Sequence, residues 1–269
     1  MENKDKLNLD EILVLKWRGF TSKRISEIDI KQFDRFYDEE PAEFDRLIDK
    51  ANSILDKQEV LGIKTVSIQD DEYPERLKKI GNDAPVLIHM LGNAELLKSE
   101  NAVAVIGARA ADKQGLDAAY KIGKKYSEDR NVIISGLALG CDKAGHEGCL
   151  AAGGKTIAIV GSGLDMVHPK ENQDLQKRIL DAGGLILSEQ LIKTKASPST
   201  LVARNRLQAA LSDRVILVQC PLQSGSMHTM RYARKYQKQC LAVNFPQKTE
   251  INAGNNDLIE NNLAQAINV

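Results

Sequence analysis

The sequence predicts an α/β fold: a mostly parallel sheet with helices on both faces, preceded by a small N-terminal helical domain. Three observations carry this. Short apolar runs at 102–106, 131–135, 156–160, 185–188, 215–219 and 240–245 alternate with helical segments near 112–128, 142–152, 171–182, 203–212 and 225–238. Continuous apolar runs of that length, separated by helices, mark strands buried on both faces. The runs close on small or polar residues (Gly107, Gly136, Gly161, Glu189 and Gln219), and right-handed crossovers bring such ends to one edge, where α/β proteins hold ligands. Lastly, residues 1 to 55 carry helical rather than strand patterning.

Taken in order, Leu9, Ile12, Leu13 and Leu15 give a partial helical stripe that breaks at Gly19-Phe20-Thr21. Thr21 or Ser22 is placed to cap a second helix through Ile25 and Ile28. Phe33, Phe36 and Tyr37 extend the apolar set, a turn spans 38–41, and 43–55 is amphipathic. Residues 1–58 therefore read as a helical cap or interaction module, and 59–269 as the sheet domain. Residues 61–68 read as a strand, 70–74 as a turn ending in Pro74, 75–80 as a short helix, 85–91 as a strand and 95–98 as a turn of helix.

The chain has 269 residues, with 37 basic and 37 acidic side chains. At zero net charge, a nucleic-acid partner has to be met by a local patch rather than by a bulk field. Cys141, Cys149, Cys220 and Cys240 form no C-x-x-C pair and read as the reduced thiols of a cytosolic protein. No apolar run has membrane-spanning length, and the charged start MENKDKLNLDE is not a signal peptide. The expectation is a cytoplasmic protein without a membrane partner.

The chemistry lies in the loops after the strands. In VAVIGARAADKQG, Gly107 permits a sharp turn and Arg109 is a fork for a phosphate. The G-x-G-x-x-G fingerprint is absent, which argues against a dinucleotide cofactor, and no cofactor is expected. Ser135-Gly136-Leu137-Ala138-Leu139-Gly140 leads to Asp142, placed to cap a helix. Gly145 and Gly148 inside that helix point to a close helical neighbour. His146 reads as a structural histidine, with no paired nucleophile beside it. Gly161-Ser162-Gly163 offers backbone N–H groups to an anion, with Lys170 following at the next helix start. Lys193, Lys195, Arg204 and Arg206 lie in a locally basic stretch whose Pro198 indicates a loop, so that Arg204-Asn205-Arg206 is expected to open a helix. Ser224-Gly225-Ser226 turns into a further helix carrying Arg231, Arg234, Lys235 and Lys238 on its solvent side. Together these loops read as an anion- or phosphate-binding edge with no evident catalytic set.

In the same order, VAVIGARAADKQG, SGLALGCDKAGHEGCL, GGKTIAIVGSGLDMVHPKEN, GGLILSEQ, ARNRLQAALSDRVILVQ, SGSMHTMRYA and NAGNNDLI resemble the DprA/Smf family of bacterial DNA-processing proteins. The resemblance covers about residues 60–260. It implies an extended Rossmann-like fold with a sterile-alpha-motif-like helical domain before it, and a core without the winged helix that many members carry. It also implies binding of single-stranded DNA without catalysis, loading of the RecA recombinase in natural transformation, and a homodimer. Arg109 matches the family's Gly-x-Arg cation and Lys170 its basic residue after Pro. Arg204, Asn205 and Arg206 match its Arg-Asn-Arg motif, and Ser224, Gly225 and Ser226 its Ser-Gly-Ser loop. The sequence departs from the family where Leu139 replaces an Arg, Cys141 an Ile, and Leu201-Val202-Ala203 a Phe-Pro-basic triplet.

Three functions compete. The first is a non-enzymatic single-stranded-DNA binder that protects incoming DNA and mediates recombination. The second is a small-nucleotide sensor using the same pocket. The third is a phosphoribohydrolase-like enzyme, disfavoured because Thr229 stands where that chemistry needs a carboxylate.

Overall fold

The computed structural model describes residues 6–269. The signal-peptide reading of the first residues lies partly outside the described residues. Four helices come first: α1 (Leu9–Trp17), α2 (Ser22–Glu27), α3 (Ile30–Glu39) and α4 (Pro41–Val60). Thr21 is the residue that caps α2, accepting from the Arg24 N–H, and Asp29 and Gln32 form a capping box on α3. Their apolar faces enclose Ile12, Leu13, Leu15, Ile25, Phe33 and Phe44, and the same cluster takes in Val86 and Leu87 of the sheet region. Polar ties hold that seam: Gln69 Nε2 donates to the Ile25 and Ile28 carbonyls, both at 2.9 Å, and Gln58 Nε2 donates to Thr65 Oγ1 at 2.7 Å.

The sheet region comprises β1 (Lys64–Ser67), α5 (Glu75–Lys78), β2 (Leu87–Gly92), β3 (Ala102–Ile106), α6 (Lys113–Glu128), β4 (Val132–Ser135), α7 (Cys141–Ala151), β5 (Thr156–Ile159), α8 (Gln173–Asp181) and β6 (Leu185–Ser188). It continues through α9 (Pro198–Leu211), β7 (Arg214–Leu217), α10 (Ser226–Lys235), β8 (Gln239–Val243), α11 (Ala253–Glu260) and β9 (Gln265–Ile267). These strands make one nine-stranded sheet in the order β1-β2-β6-β5-β4-β3-β7-β8-β9. β2 pairs antiparallel with both β1 and β6, and all other pairings are parallel. The fold is thus the expected Rossmann-like, mostly parallel sheet. The chain builds outward from β3 to β6 and then returns to the other side of β3, so the order reverses between β3 and β7. A crevice opens at the carboxyl ends of such a pair.

Both faces are covered. Val103, Val105, Ile133 and Ile216 pack under α6 and α7, whereas Ala104, Ile106, Ile134 and Leu217 pack under α9 and α10. This period-two division explains why each strand reads as an unbroken apolar run. The helix glycines mark a close crossing, as expected. A Cβ on Gly148 would lie 2.0 Å from the Tyr120 carbonyl oxygen, and one on Gly123 would lie 2.1 Å from that of Gly145.

Three elements differ from expectation. α9 starts at Pro198 rather than near residue 203: Ser197 caps it, Thr200 completes a capping box, and Pro198 takes the first helical position, where its missing N–H costs nothing. α11 and β9 have no apolar signature. α11 is anchored by Asn255, whose Nδ2 donates to the Val218 and Val243 carbonyls while its Oδ1 accepts from the Cys220 N–H.

The α6–α7 crossing yields a test. Gly148→Ala gains helix propensity but forces the two backbones apart. We expect a net loss of about 1–3 kcal/mol, read as a lower urea midpoint. An unchanged midpoint contradicts the close approach.

Candidate functional site

Four loops meet at the carboxyl edge, in the sheet order β5, β4, β3, β7. The β3 loop is clasped to the end of β7. Ala108 N–H donates to the Gln219 carbonyl at 2.8 Å, and Gln219 exchanges side-chain hydrogen bonds with Asp112 through its Oε1 and Nε2. Gly107 has no room for a side chain, since a Cβ would sit 2.4 Å from Cys141 Sγ. From this clasp Arg109 projects into solvent, with no ion pair among the described residues. Ser226 Oγ closes the other side by donating to the Gly107 carbonyl at 2.8 Å, and Ser224 Oγ accepts from the Ser226 N–H.

The β4 loop is shaped by a buried acid. Asp142 does not cap α7 as expected, because Gly140 takes that position with φ 76°, a conformation that favours glycine. The Asp142 carboxylate turns back instead and accepts from Gly136 N–H at 3.1 Å and Ala138 N–H at 3.4 Å. Ser135 is a tie between strands: its Oγ donates to the Val105 carbonyl and is fully buried. Asn172, also fully buried, donates to the Leu137 carbonyl at 2.8 Å.

Arg204 lies against Gly136. It sits in the middle of α9, not at a helix start, and is 5% exposed. Its Nη2 donates to the Gly136 carbonyl at 3.0 Å, and its Nε has no partner. A Cβ on Gly136 would fall 1.7 Å from Arg204 Nη1, so only glycine admits the guanidinium. Burial pushes the Arg204 guanidinium below its ordinary value, Asp142 pulls it back up, and Arg109 adds a repulsion of its own. An arginine remains charged through such shifts. The site therefore holds a buried cation with open donor capacity beside an exposed one.

The β5 loop completes the row. Gly161, Ser162 and Gly163 are buried. The Ser162 carbonyl accepts from Ser188 Oγ, Gly163 N–H donates to the Thr194 carbonyl, and Ser162 Oγ has no partner. Gly161 backs onto Leu201, one turn before Arg204 on α9. Lys170 is exposed at the end of this loop.

The remaining expected residues are structural in position. Asn205 Nδ2 donates to the Gly225 carbonyl at 3.1 Å, holding the Ser-Gly-Ser turn to α9. Arg206 departs from the expected phosphate contact. It forks onto Glu189 at 2.7 and 2.6 Å and also donates to the Asp83 and Ala203 carbonyls, so its donors are engaged within the chain. Gln219 and the positioning role of Asp142 were not legible in the sequence, since both act through contacts between distant loops.

Nothing at this edge resembles an acid–base pair. Burial pushes His146 down to about 3 and the Cys141 thiol up to about 12. Among the described residues, no cluster of His, Cys, Asp or Glu is placed to hold a metal.

Fold and edge together define a Rossmann-like protein presenting cations at the carboxyl end of its sheet. The family described as DNA recombination-mediator protein A matches residues 64–269, and the chain belongs to that family, the DprA/Smf DNA-processing proteins. It is 42% identical over 177 residues to DNA processing protein DprA of Streptococcus pneumoniae, covering 66% of this chain and 61% of the relative. It is 35% identical over 185 residues to protein Smf of Synechocystis, covering 67% and 46%. The chain thus spans about half to three fifths of these curated relatives. Among solved structures, DNA processing protein A of Streptococcus pneumoniae superposes with TM-score 0.74 at 31% identity, over 97% of this chain and 90% of that one. The Helicobacter pylori protein, described for its single-stranded DNA binding mode, gives TM-score 0.68 at 33% identity over 76% of this chain and 90% of that one.

The buried histidines yield a pH prediction. His146 and His89 are each held neutral near 3 by burial, against 6.5 when unfolded. The unfolded chain therefore binds more protons below 6.5, and stability falls as pH drops from 6.5 toward 3. Between pH 7 and 5 the pair should cost about 4 kcal/mol, measured by urea denaturation at both pH values. A midpoint independent of pH in that window contradicts the assignment.

Proposed function

We propose that the chain binds single-stranded DNA through its phosphate backbone along the carboxyl edge, without a chemical step. It protects the strand and loads the RecA recombinase onto it, acting as a homodimer in the cytoplasm. The observation that carries this reading is the pairing of buried Arg204, whose Nε lacks a partner, with the exposed and unpaired Arg109 next to it. Asp142 already balances the Arg204 charge in part, and a phosphate held by Arg109 would add to that balance.

In this reading Arg109 and Lys170 meet phosphates directly, and Arg204, buried beneath Gly136, adds its charge from below. Contrary to the sequence expectation, the Gly161–Ser162–Gly163 loop is buried and its Gly163 N–H is held by the Thr194 carbonyl, so it supports α9 through Leu201 rather than offering N–H groups to the strand. Ser135, Gly136, Asn205, Arg206, Ser224, Gly225 and Ser226 hold these cations in register. Residues 1–58 act as a domain docked on the sheet region through an apolar cluster shared with Val86 and Leu87. The absence of a titratable pair suited to acid–base work supports a binding role rather than an enzymatic one. The binding mode for which the Helicobacter pylori relative is described supports the choice of ligand.

Arg109→Ala and Lys170→Ala should each weaken oligo-dT binding about tenfold or more, as expected for one charge-assisted contact. Each should also lower the slope of log K against log salt by about 0.7. Fluorescence anisotropy across a salt series reads both quantities. Unchanged affinity in both variants contradicts the site. Tight binding of mononucleotides without strand binding replaces this reading with that of a nucleotide sensor.

A further inference from the structure

The overall neutrality of the chain conceals one long one-signed stretch. Residues 214–249 contain no Asp or Glu, yet carry Arg214, Arg231, Arg234, Lys235, Lys238 and Lys248. Much of that charge lies on and just after α10. This helix starts at Ser226, on the carboxyl edge, and ends at Lys235, near the amino end of the sheet. Its ten residues span about 15 Å. Arg231, Arg234 and Lys235 are exposed along it, at the spacing that places side chains on neighbouring positions of one helix surface.

The helix leads to a groove at the opposite edge from the site described above. The groove has a volume of about 580 Å3 and is lined by Arg76, Lys79, Lys235, Tyr236, Lys238 and Asp213. Asp213 immediately precedes β7, and Lys238 immediately precedes β8. The nearby acids are already engaged: Asp213 pairs with Arg76 at 3.0 Å and accepts from the Ala102 N–H, and Asp83 accepts from Lys235 and from the Tyr236 hydroxyl. Lys79 and Arg234 have no ion-pair partner among the described residues. Lys238 Nζ is half-buried and anchored on the Ala210 carbonyl at 2.9 Å. Burial pushes Lys238 below its ordinary value, and the nearby Arg76 and Lys79 push it further against the pull of Asp213. Within the groove Arg76 and Lys235 are thus paired, while exposed Lys79 and the half-buried Lys238 have no carboxylate of their own, and Arg234 stands unpaired on the helix that leads to it.

We propose that this amino-edge groove is a second phosphate-binding site, which takes the backbone of the same nucleic-acid strand after it leaves the carboxyl edge and runs along the cations of α10. The ligand chemistry is that of a phosphodiester chain. A compact anion fits the groove but has no use for the ladder of Arg231, Arg234 and Lys235 leading to it. The proposal rests on the strand-binding reading of the carboxyl edge.

The experiment compares a 5-nucleotide and a 20-nucleotide oligo-dT by anisotropy over a salt series. Three proteins are measured: the full chain, Lys79→Glu/Arg234→Glu, and Arg109→Ala. Neither Lys79 nor Arg234 is packed or paired, so the double variant should fold as the parent does, checked by circular dichroism. A 5-nucleotide strand carries too few phosphodiesters to occupy Arg109 and Lys170 at the carboxyl edge, the α10 cations and the groove together. The double variant should lose at least tenfold in affinity for the long strand and about 1.4 in salt slope, with the short strand unaffected. Equal loss at both lengths reduces the cations to a diffuse field and overturns the proposal, as does no loss at all. Binding of inorganic triphosphate to the groove, with no length-dependent loss, also overturns it. If Arg109→Ala leaves short-strand binding unchanged, the carboxyl-edge reading fails instead, independently of the double variant.

Discussion

A guanidinium lying 5% exposed beneath a loop is the constraint around which the carboxyl edge is arranged. Burying that charge requires a partner, an acceptor and space. Asp142 supplies the opposite charge, the Gly136 carbonyl supplies the acceptor, and the missing side chain of Gly136 supplies the space. Asp142 can do this only because it is folded back onto the Gly136 and Ala138 N–H groups, which in turn needs Gly140 in a left-handed conformation at the start of α7. The path of the β4 loop and the placement of α9 are thus consequences of one side chain. A hydrophobic residue would have filled the same volume at lower desolvation cost. A cation kept there with a donor unused is explained by a ligand more readily than by stability.

The contrast with Arg206 sharpens the point. It is two residues further along the same helix and also largely buried, but it is saturated by Glu189 and two carbonyls. One motif therefore supplies two cations in different states, one saturated within the chain and one with a donor unused. The sequence shows Arg-Asn-Arg and cannot separate them, because the difference lies in Glu189 and Asp83, contributed by β6's end and the segment before β2. Asn205, between them, ties α9 to the Ser-Gly-Ser turn, so α9 is the element that relates the loops to one another.

The strands were legible because burial on both faces turns each into a plain apolar run, and the helices because their apolar stripes face a single layer. What was not legible is polar and long-range. α11 is held by Asn255 reaching three strand-end carbonyls, and nothing in NAGNNDLI announces that. Pro198 reads as a loop until Ser197 and Thr200 are seen to cap the helix it begins. Asp142 sits where helix caps sit, and only the geometry of Gly140 shows that its carboxylate belongs to the preceding loop. Gln219 looks like an uncertain strand end, yet it clasps the β3 loop on which Arg109 depends.

The balance of 37 basic and 37 acidic side chains lowers the expectation of a nucleic-acid partner when it is read as a sum. The structure shows how local charge departs from that sum. At the carboxyl edge, Asp112 and Asp142 are both bound to backbone N–H groups, with Asp112 fixed by Gly115 N–H and Gln219. At the amino edge, Asp83 and Asp213 are both paired. Acids held this way shape loops and neutralise particular partners, while Arg109, Lys170, Lys79 and Arg234 remain free to act outward. A local positive field on a neutral chain thus comes from which charges are already engaged, and α10, acid-free from end to end, carries Arg231 and Arg234 exposed along the flank between the two edges.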